Sequence, residues 1–434
     1  MTKILLTGSS DSLNNGGMAM ALSTADTLKK FIPDAKFSIL SSCFSVDSKR
    51  YAPYNINVIE RAWRGDRIRT KQRLLRLIMV ATLTSITLFN CILWRIFFNK
   101  ILKQNKFSAR GTKDFVTSDI IIDISGDSLT EDYGFPIGYE ILLGIITGKI
   151  VVIYAQSIGP FRNRLTQFLM KLILNRVNLI TTREVITKRY LQEVLGINSP
   201  RIYLTAESAF LLKPASDERI NKILLSEGIN PNEKPLIGIS PSRIIHRYGF
   251  PDCKSPGEKY QNYIKFMAKI TDYMVEELNA TVIFIPHVVA PNNDDRVVSY
   301  EIYQVIRNKH KVKLITSECT ADELKGIIGI CDMFIGCRMH ATIASTSMHV
   351  PTIAIAYSHK THGIIGEMLG QEKLVIDIRD FKSNDLLSEL KSKIDYAWKN
   401  RDFSRNDLTE KMKVIQERAL LNGKLVRDLL FNAF

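Results

Sequence analysis

Hydrophobic residues in the first half of the chain fall into short apolar runs that alternate with amphipathic stretches. Residues 3–8 form an apolar run closed by a glycine, which is typical of a buried parallel strand. A polar loop at 9–17 follows, and residues 18–31 then carry a helical stripe of apolar side chains ahead of a second strand at 36–40. Further strands are predicted at 119–125, 150–155, 179–182 and 201–204. This alternation predicts βαβ units and therefore a parallel sheet.

The same pattern restarts after residue 215. It predicts strands at 236–240, 281–286, 312–315, 333–335 and 352–356. It predicts helices at 260–278, 295–308, 321–328 and 340–348, and a helical segment from 380 onward. Two successive parallel sheets indicate an α/β fold of two Rossmann-like, doubly wound domains with a cleft between them, as in the GT-B glycosyltransferases. The predicted regions are an N-terminal domain at 1–215, a C-terminal domain at 216–385 and C-terminal helices at 386–434.

One segment interrupts the pattern of the N-terminal domain. Residues 77–94 contain no charge, and the predicted apolar insertion extends over 77–98. A basic cluster at 61–76 precedes it. A transmembrane span would separate the first βαβ unit from the rest of its sheet, and basic residues on both flanks indicate no orientation. Two alternatives stay open: a helix lying on an anionic membrane surface, and a helical hairpin buried in the core.

The chain carries a formal net charge of +15. Such an excess favours anionic partners, including phosphorylated substrates and an acidic membrane surface, although a solvated basic surface explains it equally well. The sequence contains no recognised nucleic-acid-binding module and no basic stretch interleaved with aromatic residues. Nucleic acid is therefore not expected as a partner.

Six cysteines are scattered along the chain without the spacing of a zinc site, so we expect free thiols and no metal site.

The N-terminus lacks the long apolar run of a signal peptide, because polar residues follow Leu6 at once. We therefore predict a cytoplasmic protein. In the first of the two alternatives for the apolar segment, residues 61–98 make peripheral contact with the inner face of an anionic membrane.

The chemistry is predicted to centre on residues 331–360. An apolar strand ends at Gly336, and a turn then delivers Arg338 and His340, where a helix begins. A second apolar strand follows and precedes Lys360. Ligands of open α/β sheets bind beyond the carboxyl ends of the strands, so these cationic residues are expected near one crevice. A guanidinium beside a helix N-terminus is typical of an anion-binding site.

These residues resemble the late signature of the polysaccharide pyruvyl transferase family, which is Gly-x-Arg-x-His, a small-residue helix, Pro, an apolar strand, Tyr and Lys. Other segments are similar to the family's motifs, in the same order along most of the chain. They are Asn14-Asn15-Gly16-Gly17, Gln156-Ser157-Ile158-Gly159-Pro160, Thr182-Arg183-Glu184, Ile285-Pro286-His287 and Asp294-Asp295. The chain departs from the family at Ser125-Gly126-Asp127-Ser128, where a Gly-rich turn is common, and at Glu207, where Asp is usual.

The resemblance implies transfer of pyruvate from phosphoenolpyruvate onto two hydroxyls of a sugar, as a ketal, in cell-surface polysaccharide biosynthesis. The acceptor would be a sugar or a lipid-linked oligosaccharide, and no cofactor is expected besides the donor substrate. The anionic donor would be bound by Arg338, Lys360 and Arg243. His340 is the candidate general acid, because histidine exchanges a proton near neutral pH. The other candidates are the bases His287, Asp294 and Asp295 and the acceptor-loop residues Asn14, Gly16, Gly17, Gln156 and Gly159.

Alternatives stay open for the residues and for the function. The pattern at Arg338 is also consistent with a structural ion pair. His340 is also consistent with a residue at a helix N-terminus whose side chain hydrogen-bonds to the backbone. Asp294 is also consistent with a helix N-cap. One rival function is a GT-B glycosyltransferase that uses a nucleotide sugar, which would need a similar basic site. The other is a non-catalytic polysaccharide assembly protein at the membrane, which would not need Arg338 or His340.

Overall fold

The computed structural model describes residues 1–9, 11–61, 109–130, 138–198, 201–357, 361–380 and 382–431, together with positions 82, 85, 86, 88, 89 and 91–93. The described residues divide into two compact units. The first unit consists of Met1–Ser12, Met20–Ser208 and Arg418–Phe434, and the second consists of Leu13–Ala19 and Ala209–Glu417. Each unit is built on one parallel sheet, as the alternating pattern predicts.

The sheet of the first unit has the strand order β3-β2-β1-β4-β5-β6-β7, with every pairing parallel. Its strands are β1 (Lys3–Thr7), β2 (Lys36–Ser41), β3 (Ile56–Glu60), β4 (Ile120–Asp123), β5 (Ile150–Gln156), β6 (Leu179–Thr182) and β7 (Ile202–Leu204). The central strands are apolar on both faces: all of β4 is buried, and β5 is buried from Val151 onward. Continuous apolar runs of this kind are characteristic of parallel strands covered on both sides.

The sheet of the second unit has the order β12-β9-β8-β13-β14-β15, again parallel throughout. A short antiparallel hairpin, β10 with β11, lies outside it. In chain order the strands are β8 (Leu236–Ser240), β9 (Thr281–Phe284), β10 (Val289–Ala290), β11 (Asn293–Asp294), β12 (Val312–Leu314), β13 (Met333–Gly336), β14 (Thr352–Ala356) and β15 (Val375–Asp377).

Helices connect the strands, and several have recognisable caps. In chain order they are α1 (Asn15–Phe31), α2 (Phe44–Tyr51), α3 (Ala109–Thr117), α4 (Tyr139–Ile146), α5 (Arg164–Leu174), α6 (Val185–Arg189), α7 (Asp217–Ser226), α8 (Pro256–Leu278), α9 (Asp295–Val305), α10 (Ala321–Gly329), α11 (Met339–Ser347), α12 (Ser383–Lys399) and α13 (Arg401–Leu430). α8 shows the sequence logic. The Ser255 hydroxyl accepts from the Glu258 N–H and Pro256 occupies the first turn, while Asn279 ends the helix in the left-handed conformation.

Two boundaries differ from the prediction. The long N-terminal part of the first unit ends at Ser208 rather than at 215, because the next segment is attached to the second unit: the N–H of Ala215 donates to the carbonyl of Asp322 at 3.0 Å. The short segment Leu13–Ala19 also belongs to the second unit, although it was predicted in the N-terminal domain.

The C-terminal helices do not form the separate region predicted at 386–434. Leu386 and Leu390 of α12 are buried in the core of the second unit, because their four-residue spacing places both on one helix face. The end of α13 belongs to the first unit, where the guanidinium of Arg418 donates to the carbonyl of Thr205 at 2.9 Å.

The apolar insertion predicted at 77–98 and the basic cluster at 61–76 lie largely outside the described residues. Of the positions described there, Cys91 is fully buried in the core of the first unit, whereas Ile86 and Phe89 are exposed. Among the helices of the described ranges, none combines the length and the apolar character of a membrane span. The six cysteines are free thiols, as predicted.

Candidate functional site

The carboxyl edge of the second sheet carries the residues that were predicted to do the chemistry. β9 ends shortly before His287, and β13 ends shortly before Arg338, which is the N-cap residue of α11. His340 is the second residue of that helix. β8 lies between β9 and β13, so the two strand ends are separated by one neighbour. The structure therefore brings His287, Arg338 and His340 together, and the N-terminus of α11 adds a partial positive charge.

Arg338 is held in place by a buried carboxylate. Its Nη2 donates to Asp295 Oδ1 at 2.6 Å and to Asn293 Oδ1 at 3.0 Å, and its Nε donates to Asp295 Oδ2 at 3.2 Å. The Asp295 side chain is 0% exposed and the Arg338 side chain is 12% exposed. Asp295 Oδ2 also accepts from the backbone N–H groups of His287 at 3.1 Å and Val288 at 2.8 Å. Because both carboxylate oxygens are occupied, these contacts support an orienting role for Asp295 rather than a role as a base.

Two structural alternatives that the sequence left open are present. Arg338 forms a buried ion pair with Asp295. Its hydrogen bonds to Asp295 and Asn293 use three of the five N–H donors of the guanidinium, so its capacity to bind an anion is retained. Asp294 is the N-cap of α9, where its Oδ1 accepts from the backbone N–H of Arg296 at 2.9 Å. Its carboxylate also pairs with the Arg296 guanidinium at 2.7 Å. These contacts support capping by Asp294 over proton transfer.

His287 is a buried, neutral histidine. It is 3% exposed, and neither ring nitrogen has a hydrogen-bond partner among the described residues. Burial, together with the charges of His340 and Arg338, lowers the pKa of His287 to about 3. The imidazole is therefore uncharged at neutral pH, where it can accept a hydrogen bond from a hydroxyl of a ligand.

The neutral state of His287 predicts a dependence of stability on pH. Because its pKa in the folded chain lies below the ordinary value of 6.5, the unfolded chain takes up a proton first as the pH falls. His287 therefore leaves stability unchanged above its ordinary pKa and lowers it by up to about 1.4 kcal/mol per pH unit between about 6.5 and about 3. His287→Gln is expected to remove this slope.

Urea unfolding of the wild type and of His287→Gln measures the slope. The fluorescence of Trp398 reports on the second unit once Trp63 and Trp94 are replaced by phenylalanine in both proteins. Between about pH 7 and about pH 5, the wild type is expected to lose about 2 kcal/mol more than the variant. Equal losses in both proteins would mean that the pKa of His287 is not lowered in the fold.

The loop that carries Asn14 and Gly16 packs against this site within the second unit. The N–H of Asn15 donates to the carbonyl of His287 at 3.1 Å, and Asn14 forms an antiparallel bridge with Val288. The loop was predicted in the N-terminal acceptor domain; these backbone hydrogen bonds attach it to the second unit instead.

Gly16 lies where the imidazole of His340 approaches the backbone. A Cβ atom at residue 16 would lie 2.7 Å from Cγ of His340, closer than two such carbon atoms can approach. The ring of His340 therefore lies against the first turn of α1. Gly17 follows in the same turn and is buried.

Two further residues were predicted to bind the donor substrate, Arg243 and Lys360. Arg243 begins a 3-10 helix, Arg243–Arg247, that follows β8. Its side chain is exposed, and its guanidinium carbon lies 5.0 Å from the centre of the Tyr260 ring in a cation–π contact. Lys360 lies outside the described residues, so its place in the site stays a prediction.

Within the described ranges, no three His, Cys, Asp or Glu side chains are grouped closely enough to hold a metal ion.

Gln156 and Gly159, predicted to belong to an acceptor loop, lie in the first unit at the carboxyl end of β5. Gln156 is fully buried: its Nε2 donates to the carbonyl of Asp123 at 2.7 Å, and its Oε1 accepts from the Ser125 hydroxyl at 2.9 Å. Gly159 has a φ of 72°, and a Cβ there would lie 2.9 Å from Cδ1 of Tyr190. These contacts are internal to the first unit and support a role in shaping its strand ends.

The same edge of the first sheet holds a buried ion pair that the sequence did not reveal. Arg183 follows β6 and pairs with Glu207, and both side chains are 0% exposed. Arg183 Nε also donates to the Ser157 hydroxyl at 2.8 Å, and the Ser208 hydroxyl donates to Glu207 at 3.1 Å. Glu184, the acid next to Arg183 in sequence, caps α6 instead.

Two hydroxyl groups at the carboxyl end of β8 are further candidates that were not predicted. The side-chain oxygens of Ser240 and Ser242 are buried, and neither has a hydrogen-bond partner among the described residues. They stand at the same sheet edge as His287 and Arg338, because β8 is flanked by β9 and β13. A ligand oxygen there would satisfy hydroxyls that are otherwise costly to bury. The signal in the sequence is an apolar strand that ends in hydroxyl residues.

The chain is similar to known proteins in sequence and in fold. A family model described as polysaccharide pyruvyl transferase matches residues 14–359. The chain is 22% identical to the amylovoran biosynthesis protein AmsJ of Erwinia amylovora over 436 residues, which cover 99% of each chain. A putative UDP-N-acetylglucosamine 2-epimerase from Listeria monocytogenes superposes with a TM-score of 0.56 at 12% identity, covering 94% of this chain and 90% of that one. HepE of Anabaena, in complex with UDP and glucose, superposes with a TM-score of 0.52 at 12% identity over 100% of both chains.

Proposed function

The chain belongs to the polysaccharide pyruvyl transferase family, and from this premise we propose that it transfers pyruvate from phosphoenolpyruvate onto two hydroxyls of one sugar, as a ketal. Family membership makes it a transferase. Its relative from Erwinia amylovora is named for amylovoran biosynthesis. The acceptor is accordingly proposed to be a sugar of a cell-surface polysaccharide, either free or lipid-linked.

The observation that carries this proposal is the meeting of a fixed guanidinium, a helix N-terminus and two histidines at one edge of the second sheet. Phosphoenolpyruvate carries a carboxylate and a phosphate, and a guanidinium binds either group bidentately. Because Asp295 holds Arg338, the guanidinium is already oriented before the donor binds. The N-terminus of α11 and the hydroxyls of Ser240 and Ser242 offer further donors to the ligand oxygens.

The reaction adds one proton to carbon and removes two from oxygen. His340 is the proposed acid that protonates the methylene carbon, which makes the neighbouring carbon electrophilic. One sugar hydroxyl bonds to that carbon, the C–O bond to phosphate breaks, and the second hydroxyl closes the ketal. Of the two hydroxyl protons, one restores His340 and the other leaves with hydrogen phosphate. Neutral His287 is the proposed hydrogen-bond acceptor for a reacting hydroxyl.

Phosphate release by the purified wild type tests the proposal, with phosphoenolpyruvate as donor and a panel of free and lipid-linked sugars as acceptors. Release is expected to require an acceptor, and the product mass should exceed that of the acceptor by pyruvic acid less one water. UDP-sugars serve as the comparison donors. Turnover with a UDP-sugar and none with phosphoenolpyruvate would favour the glycosyltransferase rival. An intact biological role after alanine substitution of both Arg338 and His340 would favour the assembly protein.

Alanine in place of Gly16 is expected to displace the imidazole of His340 and to lower the rate of phosphate release by up to about a hundred-fold, because catalytic groups tolerate little misplacement. The higher helix propensity of alanine offsets part of the cost of moving the ring. Gly257→Ala is the matched control. Gly257 is likewise the second residue of a helix, and the side-chain atom nearest to an added Cβ is 4.0 Å away. Equal rates in the two variants would contradict the contact.

The proposal also includes peripheral contact with the inner face of an anionic membrane through residues 61–98. It rests on the basic cluster at 61–76 and the apolar insertion beside it. Because Cys91 belongs to a core cluster, substitution is preferable to deletion. Glutamine at Arg67, Arg69, Lys71 and Arg73 is expected to move the chain from the membrane to the soluble fraction, and an unchanged partition would contradict this contact.

A further inference from the structure

One face of α5 in the first unit is apolar and exposed. Leu165, Phe168, Leu169 and Leu172 have the i, i+3, i+4, i+7 spacing that forms a single stripe along a helix. Their exposed fractions run from 40% at Leu172 to 65% at Leu165. A stripe of this kind normally packs against a core, but here it faces outward.

The helix is anchored through its other face. Met170 and Leu174 are buried in a core cluster of the first unit. At the N-terminus, the side chain of Asn163 accepts from the N–H groups of Leu165 at 2.8 Å and Thr166 at 3.3 Å. The outer stripe is therefore a second apolar face, which the described part of the chain leaves uncovered.

The charged residues of α5 and its immediate flanks in sequence are all basic. Arg162, Arg164, Lys171 and Arg176 are exposed, and no acidic residue occurs from 162 to 176. The same asymmetry extends over the unit: the first unit has 31 Lys and Arg against 17 Asp and Glu, whereas the second has 28 against 27. Almost all of the net charge of +15 therefore belongs to the unit that carries the apolar stripe.

We infer that the outer face of α5 docks the first unit onto an anionic lipid bilayer. The leucine and phenylalanine side chains insert at the boundary between headgroups and acyl chains, and the basic side chains beside them pair with lipid phosphates. A second copy of the same face is a poor occupant, because two-fold pairing would bring identical positive charges together. This surface is distinct in sequence from residues 61–98. The inference depends neither on the donor chemistry nor on the proposed membrane contact through residues 61–98.

Co-sedimentation of the full chain with lipid vesicles tests the inference. The probes are vesicles of phosphatidylcholine alone and vesicles of phosphatidylcholine and phosphatidylglycerol in equal parts. The wild type is expected to bind the anionic vesicles and to be released by salt, because screening weakens charge contacts. Changing Leu165, Phe168 and Leu169 to serine should lower the partition coefficient by more than about ten-fold. Arg164→Gln and Lys171→Gln should each lower it by about five-fold.

The matched control changes three exposed apolar residues of the second unit, Leu225, Phe403 and Val414, to serine. It removes a similar exposed apolar surface, and its vesicle binding is expected to equal that of the wild type. Circular dichroism melts of both triple variants check that the fold is intact. In the variant with glutamine at Arg67, Arg69, Lys71 and Arg73, the remaining binding should still be sensitive to the α5 substitutions.

Insertion can also be measured without weakening the binding. In Phe168→Trp, lipids with brominated acyl chains should quench the added tryptophan beyond the quenching of the three native tryptophans in the wild type. Wild-type binding by the α5 triple variant would overturn the inference. It would also be overturned if the wild type did not bind vesicles and eluted as a dimer in size-exclusion chromatography, while the α5 triple variant eluted as a monomer.

Discussion

Alanine in place of His340 is expected to lower acceptor-dependent phosphate release from phosphoenolpyruvate by about a hundred- to ten-thousand-fold, the usual contribution of a positioned general acid. The loss should fall on kcat, because protonation of the methylene carbon belongs to the transition state. The KM for the donor should change little, since Arg338 and its partner Asp295 remain in place. Steady-state kinetics with the donor varied at a saturating acceptor concentration separate the two effects.

The role of His340 as an acid can be distinguished from a role in packing. The imidazole lies against Gly16, so its removal also opens space that added imidazole can refill. Partial rescue by imidazole is expected, together with loss of the limb of the pH–rate profile that reports the protonated acid. His310→Ala, at an exposed position of the same unit, is the control for losing a histidine. A His340→Ala enzyme that retains the wild-type kcat would exclude His340 as the acid.

Strand prediction succeeded where the sheets are covered on both faces. β4, β5 and β8 are buried along nearly their whole length, and such strands appear in a sequence as continuous apolar runs. β3 and β15 were missed. Both are edge strands, and both include polar residues such as Asn57 and Asp377 within a short length, so their apolar signal is weak.

The site could be predicted as far as its strand ends. His287, Arg338 and His340 follow predicted strands, and parallel topology brings the carboxyl ends of strands to one edge. The pairing of Asp295 with Arg338 could not be predicted in the same way. The two residues are 43 positions apart, and they meet through the arrangement of β9 and β13 around β8. The attachment of Asn14 to the second unit likewise depends on tertiary pairing with Val288, which no local pattern encodes.

Glutamine in place of Glu207 is expected to destabilise the first unit by about 3–5 kcal/mol, as for other buried ion pairs that lose one charge. Glutamine keeps the shape of the side chain, so the change is mainly electrostatic. Arg183 would retain its charge at 0% exposure, and its Nη2 already lacks a hydrogen-bond partner among the described residues. Hydrogen exchange followed by mass spectrometry measures the effect in peptides of β5 and β6, with peptides of β13 in the second unit as the internal control.

A double variant separates the charge of this pair from its shape. Arg183→Met with Glu207→Leu removes both charges and keeps most of the buried volume, so it is expected to recover most of the exchange protection that Glu207→Gln loses. Recovery of protection together with phosphate release would assign the pair to the fold alone. Recovery of protection without phosphate release would show that the reaction also needs the charges, which stand at the carboxyl edge where α/β sheets bind ligands. Equal loss of protection in the single and double variants would contradict the electrostatic argument, because shape and the hydrogen bond from Arg183 to Ser157 would then dominate.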